Sequence, residues 1–313
     1  MTRKTHILRK TFNIVLLVAA YAFLAYVLWT YDDYPSLFQH FRTAGIAEWS
    51  CLVTATLLVP LNLLCEAWKW RYLLHDIAPM NMAEAQRQVY LGFVGAFFTP
   101  ERLGDYPTRV TRIADKQVWL PAITLGFVGT MALSTVNILG GVLSLLCSGI
   151  TIGGISRRSA FLLAAAFLLF FVVCVFLLPV ISGRLTGVRQ WKPATASLLK
   201  ALSLFSPKEF PVLVGMSICR YMVYATQLAL VLVFCGVQLT PAEMATVVPI
   251  HYFFVTLTPT VPAADAAVRG SVGALVFSYF TPNTAGVAIA AIILWLLNSM
   301  IPMFAGSFMS KKE

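Results

Sequence analysis

The sequence predicts an all-α, polytopic helical membrane protein with about six full spans and two inverted re-entrant, broken-helix hairpins. Of its 313 residues, 59% are hydrophobic and only 12% are charged, whereas a soluble domain carries about 25% charged residues. The mean hydropathy is +0.79, and most of the chain lies in or near apolar stretches long enough to cross a bilayer, roughly 20 residues each. We therefore expect one transmembrane domain over 1–313, with related halves at roughly 13–148 and 159–308.

Six apolar stretches are predicted as full spans. The first, 13–31, is too long for the apolar region of a signal peptide and lacks a small-residue cleavage site. The other five are long and weakly charged, as spans must be. They cover 48–68, 118–147, 159–181, 210–236 and 284–308.

Two shorter apolar stretches, 83–99 and 241–258, are predicted as re-entrant half-helices. Each ends in Thr-Pro and is followed by polar residues. Irregular backbone at membrane depth survives only when it is buried in protein or lines a wet cavity. We therefore expect both breaks to lie inside the helical bundle.

The distribution of positive charge predicts the orientation. With six spans, 18 of the 23 lysines and arginines fall on one side, although the Arg157-Arg158 pair does not. This pattern predicts cytoplasmic N- and C-termini in a bacterial inner membrane. The net charge of +10 then reflects cytoplasmic loops and anionic lipid headgroups, and we expect no nucleic-acid partner.

The two breaks resemble each other. Thr99-Pro100 is followed after four residues by Asp105 and then by Arg109, while Thr258-Pro259 is followed after five residues by Asp265 and then by Arg269. The predicted orientation places the two breaks on opposite sides, which makes the repeat inverted. Paired interrupted segments in two halves point to the binding site of a transporter.

Each Asp–Arg pair has the four-residue spacing that allows an ion pair on one helical face, and pairing is expected at membrane depth. Two interpretations remain open. In the first, the pairs are purely structural locks on the broken segments. Alternatively, Arg109 and Arg269 hold a phosphate, whose oxygens match the guanidinium fork. Arg102 and Arg112 would help them. Asp105 and Asp265 would then position the arginines.

Polar residues inside the spans add further candidates. Asn62 and Glu66 share one face of the second span, and Glu66 has Lys69 as a nearby partner. Arg220 lies within a span, where an ionisable residue is a functional candidate by default. The structural alternative is that Arg220 pairs with Glu66 or Asp265 and holds the bundle together.

No cofactor or metal is expected. The cysteines and histidines are scattered without ligand spacing, and the sequence has no P-loop, HExxH or GxSxG motif. Asn137 and Asn298 are predicted to form hydrogen bonds between helices.

Several of these residues belong to motifs that follow one another along the chain. They are Asn62-x-x-x-Glu66-x-x-Lys69-Trp70, Pro100-x-Arg102-x-Gly104-Asp105-x-x-x-Arg109, Arg220-Tyr221 with Gln227, Val268-Arg269-Gly270-Ser271-Val272 and Leu294-Trp295-x-x-Asn298-x-x-x-Pro302. Their order resembles the transmembrane region of lysylphosphatidylglycerol synthases, also called flippase-like domain proteins. The resemblance implies a helical bundle that moves polar or glycosylated lipids between leaflets. Bifunctional members carry a following aminoacyl-transferase domain, an activity not expected of a chain ending at Glu313.

We expect a flippase-like transporter rather than an enzyme. Its partner would be an anionic membrane lipid that contains a phosphate. Lipids whose headgroup also carries a sugar or an aminoacyl group are included in this expectation. One alternative is a membrane-embedded transferase acting on a lipid-linked sugar or headgroup, with Asp265 or Asp32 as the base. Another is a non-catalytic partner in envelope synthesis.

Overall fold

The computed structural model describes residues 34–99, 102–151, 157–173, 206–260 and 264–310, with scattered positions between 18 and 31 and between 177 and 203. Its regular structure within these ranges is helical. The α-helices are α1 Tyr34–Thr43, α2 Ile46–Leu73, α3 Met82–Phe97, α4 Asp105–Arg109, α5 Trp119–Ser148, α6 Arg157–Val172, α7 Phe210–Phe234, α8 Pro241–Leu257, α9 Asp265–Phe277, α10 Thr284–Trp295 and α11 Ile301–Ser310.

Four helical stretches are long and apolar enough to cross a membrane: Ile46–Leu73, Lys116–Ser148, Phe210–Phe234 and Thr284–Met309. They correspond to four of the six predicted spans. About half of the predicted span 13–31 lies outside the described residues, as does much of 159–181 beyond α6. An all-α membrane protein is therefore confirmed, while the count of six spans stays a prediction.

Local sequence explains where several helices begin and end. Asn81 starts α3 by accepting a hydrogen bond from the Glu84 backbone nitrogen at 2.8 Å. Thr240 and Glu243 form a capping box at the start of α8. Between α10 and α11 lies one π-helical segment, Leu296–Met300. Pro302 follows it and has no N–H to donate to the Asn298 carbonyl, which loosens the regular helix at this point.

The helices that flank each predicted break pack against each other as a helical hairpin. Helix α3 packs against α4, and α8 packs against α9. The first hairpin closes because Gly92 and Gly95 have no side chains. A Cβ at Gly92 would overlap the Asp105 carboxylate, and a Cβ at Gly95 would overlap Thr108 Oγ1. Re-entry of these hairpins into the membrane stays a prediction.

The two halves exchange contacts. Helix α2 packs against α7, α5 packs against α8, and α11 packs against α3. Each half thus places part of a spanning helical stretch against the broken hairpin of the other half. A two-fold relation between halves would produce this reciprocal packing, and the division into inverted repeats at 13–148 and 159–308 stays a prediction.

Candidate functional site

Glu66 lies where α2, α4 and α7 meet, and it is only 3% exposed. Its Oε1 accepts a hydrogen bond from Arg109 Nη1 at 3.0 Å. Its Oε2 lies 3.1 Å from Lys69 Nζ and also accepts a hydrogen bond from Arg220 Nη1. One carboxylate therefore binds three cations. Of the structural alternatives for Arg220, the structure shows the pair with Glu66.

Arg109 contacts both carboxylates and aromatic rings. Its Nε donates to Asp105 Oδ1 at 2.6 Å and its Nη2 donates to Asp105 Oδ2 at 3.1 Å, which confirms the predicted four-residue ion pair. The guanidinium carbon also lies 4.7 Å from the centre of the Tyr106 ring and 5.2 Å from that of Trp70. The residue is 1% exposed, so it forms part of the interior of the bundle in this conformation.

A chain of amides extends the cluster across the bundle. Arg220 Nε donates to Asn62 Oδ1 at 2.9 Å, and Asn62 Nδ2 donates to Asn298 Oδ1 at 2.7 Å. Asn298 Nδ2 donates to Gln227 Oε1 at 3.2 Å, and Gln227 Nε2 donates to the Ala55 carbonyl at 2.9 Å. These bonds join α2, α7 and the π-helical segment, which confirms the interhelical role predicted for Asn298.

Asn137 has the same kind of role elsewhere in the bundle. Its Nδ2 donates to Thr256 Oγ1 at 2.9 Å, and its Oδ1 accepts a hydrogen bond from Tyr224. The prediction for this residue is therefore also confirmed.

The second break holds its own ion pair. Arg269 Nε donates to Asp265 Oδ1 at 2.9 Å, as the spacing predicts. Trp295 Nε1 donates to Asp265 Oδ2 at 2.9 Å. Both carboxylate oxygens are thus occupied. Among the described residues, Asp265 is the only carboxylate that forms an ion pair with Arg269, whose side chain is 30% exposed.

A small cavity of about 30 Å³ lies between the two breaks. Arg102 contributes to its wall from the first break, and Asp265 contributes from the second. The other polar liners come from the breaks and from the π-helical region. They are Thr99, Thr260, Trp295 and Ser299.

Arg102 has an unusual backbone conformation. Its φ is +55°, and it is the one non-glycine residue with positive φ in the described part of the chain. Residues other than glycine seldom adopt this left-handed backbone conformation, because it is strained. Arg102 Nη2 lies 3.9 Å from Asp105 Oδ2, and its side chain is 38% exposed. Its guanidinium carbon lies 4.7 Å from the centre of the Phe93 ring.

A family model for the transmembrane region of lysylphosphatidylglycerol synthase matches residues 13–306. The chain belongs to this family. The family is associated with lipid modification or lipid flipping, so the protein is a membrane protein related to one of these processes. No curated protein matches the chain.

The structure of this family member brings the predicted site residues into two adjoining groups. Asn62, Glu66, Asp105, Arg109 and Arg220 form one bonded network. The other group, at the small cavity and the second break, consists of Arg102, Asp265 and Arg269. Their part in binding a substrate stays a prediction.

Sequence reasoning about charges missed the uncharged liners of the cavity. Thr99 is the threonine of the first Thr-Pro break and Thr260 follows the second, so the breaks themselves were the available signal. Trp295 was visible only through its place in a family motif. Within the described ranges, no group of three or more His, Cys, Asp or Glu side chains is placed to hold a metal ion.

Proposed function

We propose that this protein moves a phosphate-bearing lipid between the leaflets of a bacterial inner membrane, with both termini in the cytoplasm. The headgroup would bind between the two breaks while the acyl or prenyl tails stay in the bilayer. The observation that carries the proposal is the excess of positive charge around the two breaks. Five cations accompany three carboxylates, namely Lys69, Arg102, Arg109, Arg220 and Arg269 with Glu66, Asp105 and Asp265.

This excess of positive charge favours an anionic ligand. A charge that lacks a partner inside a membrane costs about 2.5–3.5 kcal/mol or more. A phosphate would offset the excess and would accept hydrogen bonds from guanidinium groups. Arg220 lies ten residues after Phe210, or about 15 Å along α7, which is half the roughly 30 Å hydrocarbon thickness. The charges would therefore meet a headgroup well inside the bilayer.

Hydrogen bonding separates the arginines suited to binding from those suited to structure. Arg109 donates from Nε, Nη1 and Nη2 to carboxylates, whereas Arg269 donates to Asp265 from Nε alone among the described bonds. Arg102 is 3.9 Å from its carboxylate partner, beyond hydrogen-bonding distance. We therefore assign the phosphate contact to Arg102 and Arg269, and a supporting role to Arg109.

The size of the cavity implies that headgroup binding requires movement. A volume of about 30 Å³ suits a water molecule, not a lipid phosphate. The two breaks must therefore separate to admit a headgroup. The strained backbone at Arg102 marks the first break as a place where such a change would relieve strain.

Vesicle reconstitution tests the proposal. The vesicles contain phosphatidylglycerol with a fluorescent label on an acyl chain, or polyprenyl phosphate with the label on its prenyl chain. Dithionite quenching reports exchange of the labelled lipid between leaflets. We expect exchange with the unaltered protein and at least a tenfold slower rate with Arg102→Gln and with Arg269→Gln. Arg42→Gln removes the same charge from an exposed position on α1 and should leave the rate unchanged.

Equal rates in all four proteins would refute the assignment of Arg102 and Arg269. Absence of exchange by folded, unaltered protein would favour the transferase or the non-catalytic partner. Asp265 lies on the cavity wall, as the transferase would require. Its two oxygens already accept hydrogen bonds from Arg269 and Trp295, an arrangement better suited to positioning than to proton abstraction.

A further inference from the structure

A second and much larger cavity, of about 520 Å³, lies at the end of the bundle where α1, the end of α7 and the start of α10 meet. Its volume falls within the range of roughly 300–1,000 Å³ typical of ligand pockets. Thr284 lines this cavity, and Trp295, at the smaller cavity, lies eleven residues further along the chain. The two cavities are therefore separated by about 16 Å along α10.

The larger cavity has a wall unlike that of the charged site. No carboxylate, lysine or arginine is present among the described residues that line it. Hydroxyl and amide groups predominate instead, and they can both donate and accept hydrogen bonds. They belong to Thr30, Tyr31, Ser36, Gln238, Asn283 and Thr284.

The wall is also built rigidly. Asn283 Nδ2 donates to the carbonyls of Cys235 and Gly236 at 3.3 and 3.2 Å, and its Oδ1 accepts from the Gly286 backbone nitrogen at 2.9 Å. One side chain thus joins the end of α7 to the start of α10. Gly236 has a φ of +71°, and a Cβ there would lie 2.9 Å from the His40 ring. His40 Nε2 in turn lies 3.1 Å from the Phe234 carbonyl oxygen.

We propose that this cavity binds a neutral, polyhydroxylated group, such as a sugar. Uncharged donors and acceptors on a preorganised wall suit hydroxyl groups and offer no counter-charge to a phosphate. The source would be the sugar of a membrane glycolipid, since the cavity lies at the end of a membrane-spanning bundle. This inference rests on the proposed lipid function. It adds a site for the uncharged part of a headgroup, on the predicted outer side of the membrane.

The test measures binding, not transport. The full chain is purified in a detergent without a sugar headgroup, and binding of acyl-labelled glucosyl diacylglycerol is followed by fluorescence anisotropy. Gln238 and Ser36 are exposed, so Gln238→Leu and Ser36→Trp should fold. We expect affinity to fall about fivefold when Gln238 loses its hydrogen-bonding amide. A fall of more than tenfold is expected when an indole fills the cavity. Gln39→Leu makes the matched change on an exposed α1 position that does not line the cavity and should bind normally.

Two competitors identify the source of the group. Competition by unlabelled glucosyl diacylglycerol, but not by methyl glucoside at the same concentration, supports a lipid-borne sugar. Equal competition by methyl glucoside supports the sugar site and assigns it to a free sugar. The proposal is overturned if both cavity variants bind like the unaltered protein, or if diacylglycerol without a sugar competes equally well. Vesicle exchange is a separate readout, so failure of this site and failure of lipid translocation are distinguishable.

Discussion

Replacing Glu66 by glutamine tests the central ion cluster most directly. The substitution keeps the shape of the side chain and removes its charge. Glu66 and Asp105 now face Lys69, Arg109 and Arg220, an excess of one cation. After Glu66→Gln, a single carboxylate faces the same three cations.

The expected loss of stability is about 3 kcal/mol. Breaking a buried ion pair by removing one partner costs about 3–5 kcal/mol, and a charge at the centre of a spanning helix costs about 2.5–3.5 kcal/mol on insertion scales. Unfolding in mixed micelles, titrated with dodecyl sulfate and followed by far-ultraviolet circular dichroism, measures the change. Glu48→Gln is the control on the same helix, because Glu48 accepts a bond from the Gly45 nitrogen at an exposed end and its replacement should cost under about 1 kcal/mol.

A second substitution tests whether the unbalanced charge causes the loss of stability. Lys69 contacts Glu66 and donates to the Gly129 carbonyl at 3.2 Å. Adding Lys69→Met to Glu66→Gln restores the original excess of one cation, and we expect it to recover about 1–3 kcal/mol through coupling. A Glu66→Gln protein within about 0.5 kcal/mol of the unaltered one would refute the charge argument. So would a double variant less stable than the sum of the two single changes.

Three further predictions concern the breaks and the amide chain. The same unfolding measurement checks their effects on stability, and the vesicle assay checks lipid exchange. Arg102→Gly should stabilise the fold by up to about 1 kcal/mol, because Gly tolerates positive φ, while slowing lipid exchange; destabilisation would contradict the strain at this position. Gly95→Ala should cost about 2 kcal/mol or more, because its Cβ would overlap Thr108 Oγ1. The control Gly215→Ala meets nothing within 4 Å and should stabilise α7 by about 0.5–1 kcal/mol, so equal effects would count against close hairpin packing. Asn298→Leu should cost about 1–2 kcal/mol, because it removes bonds between helices, and an unchanged stability would show that this amide chain contributes little.

Much of the architecture was readable from local sequence. The long apolar stretches identified α2, α5, α7 and the α10–α11 region, because a spanning helix satisfies its backbone hydrogen bonds internally. The two Thr-Pro breaks located the hairpins, and the Asp–Arg spacing gave both ion pairs. The helix Tyr34–Thr43 was not predicted, because a short, mixed segment gives little periodic signal.

Contacts between residues that are distant in sequence could not be predicted from local spacing. Glu66 was known to be a polar residue near the end of a span, but its sequence neighbour Lys69 was the only partner that local spacing offered. The bonds to Arg109 and Arg220 join residues 43 and 154 positions away. Whether such groups meet depends on the depth and rotation of each helix, which are set by packing between helices and not by the pattern within one.

The sequence by itself determined that this chain is a helical membrane protein of a lipid-handling family, with two interrupted segments that each carry an Asp–Arg pair. Helix length, proline breaks and four-residue spacing are local properties, so they survive without knowledge of the fold. Only the tertiary structure distinguished Arg109, whose Nε, Nη1 and Nη2 all donate to Asp105 or Glu66, from Arg102 and Arg269 beside the meeting point of the breaks. The physical reason is that an arginine's free donors depend on which carboxylates the packed helices bring within hydrogen-bonding distance.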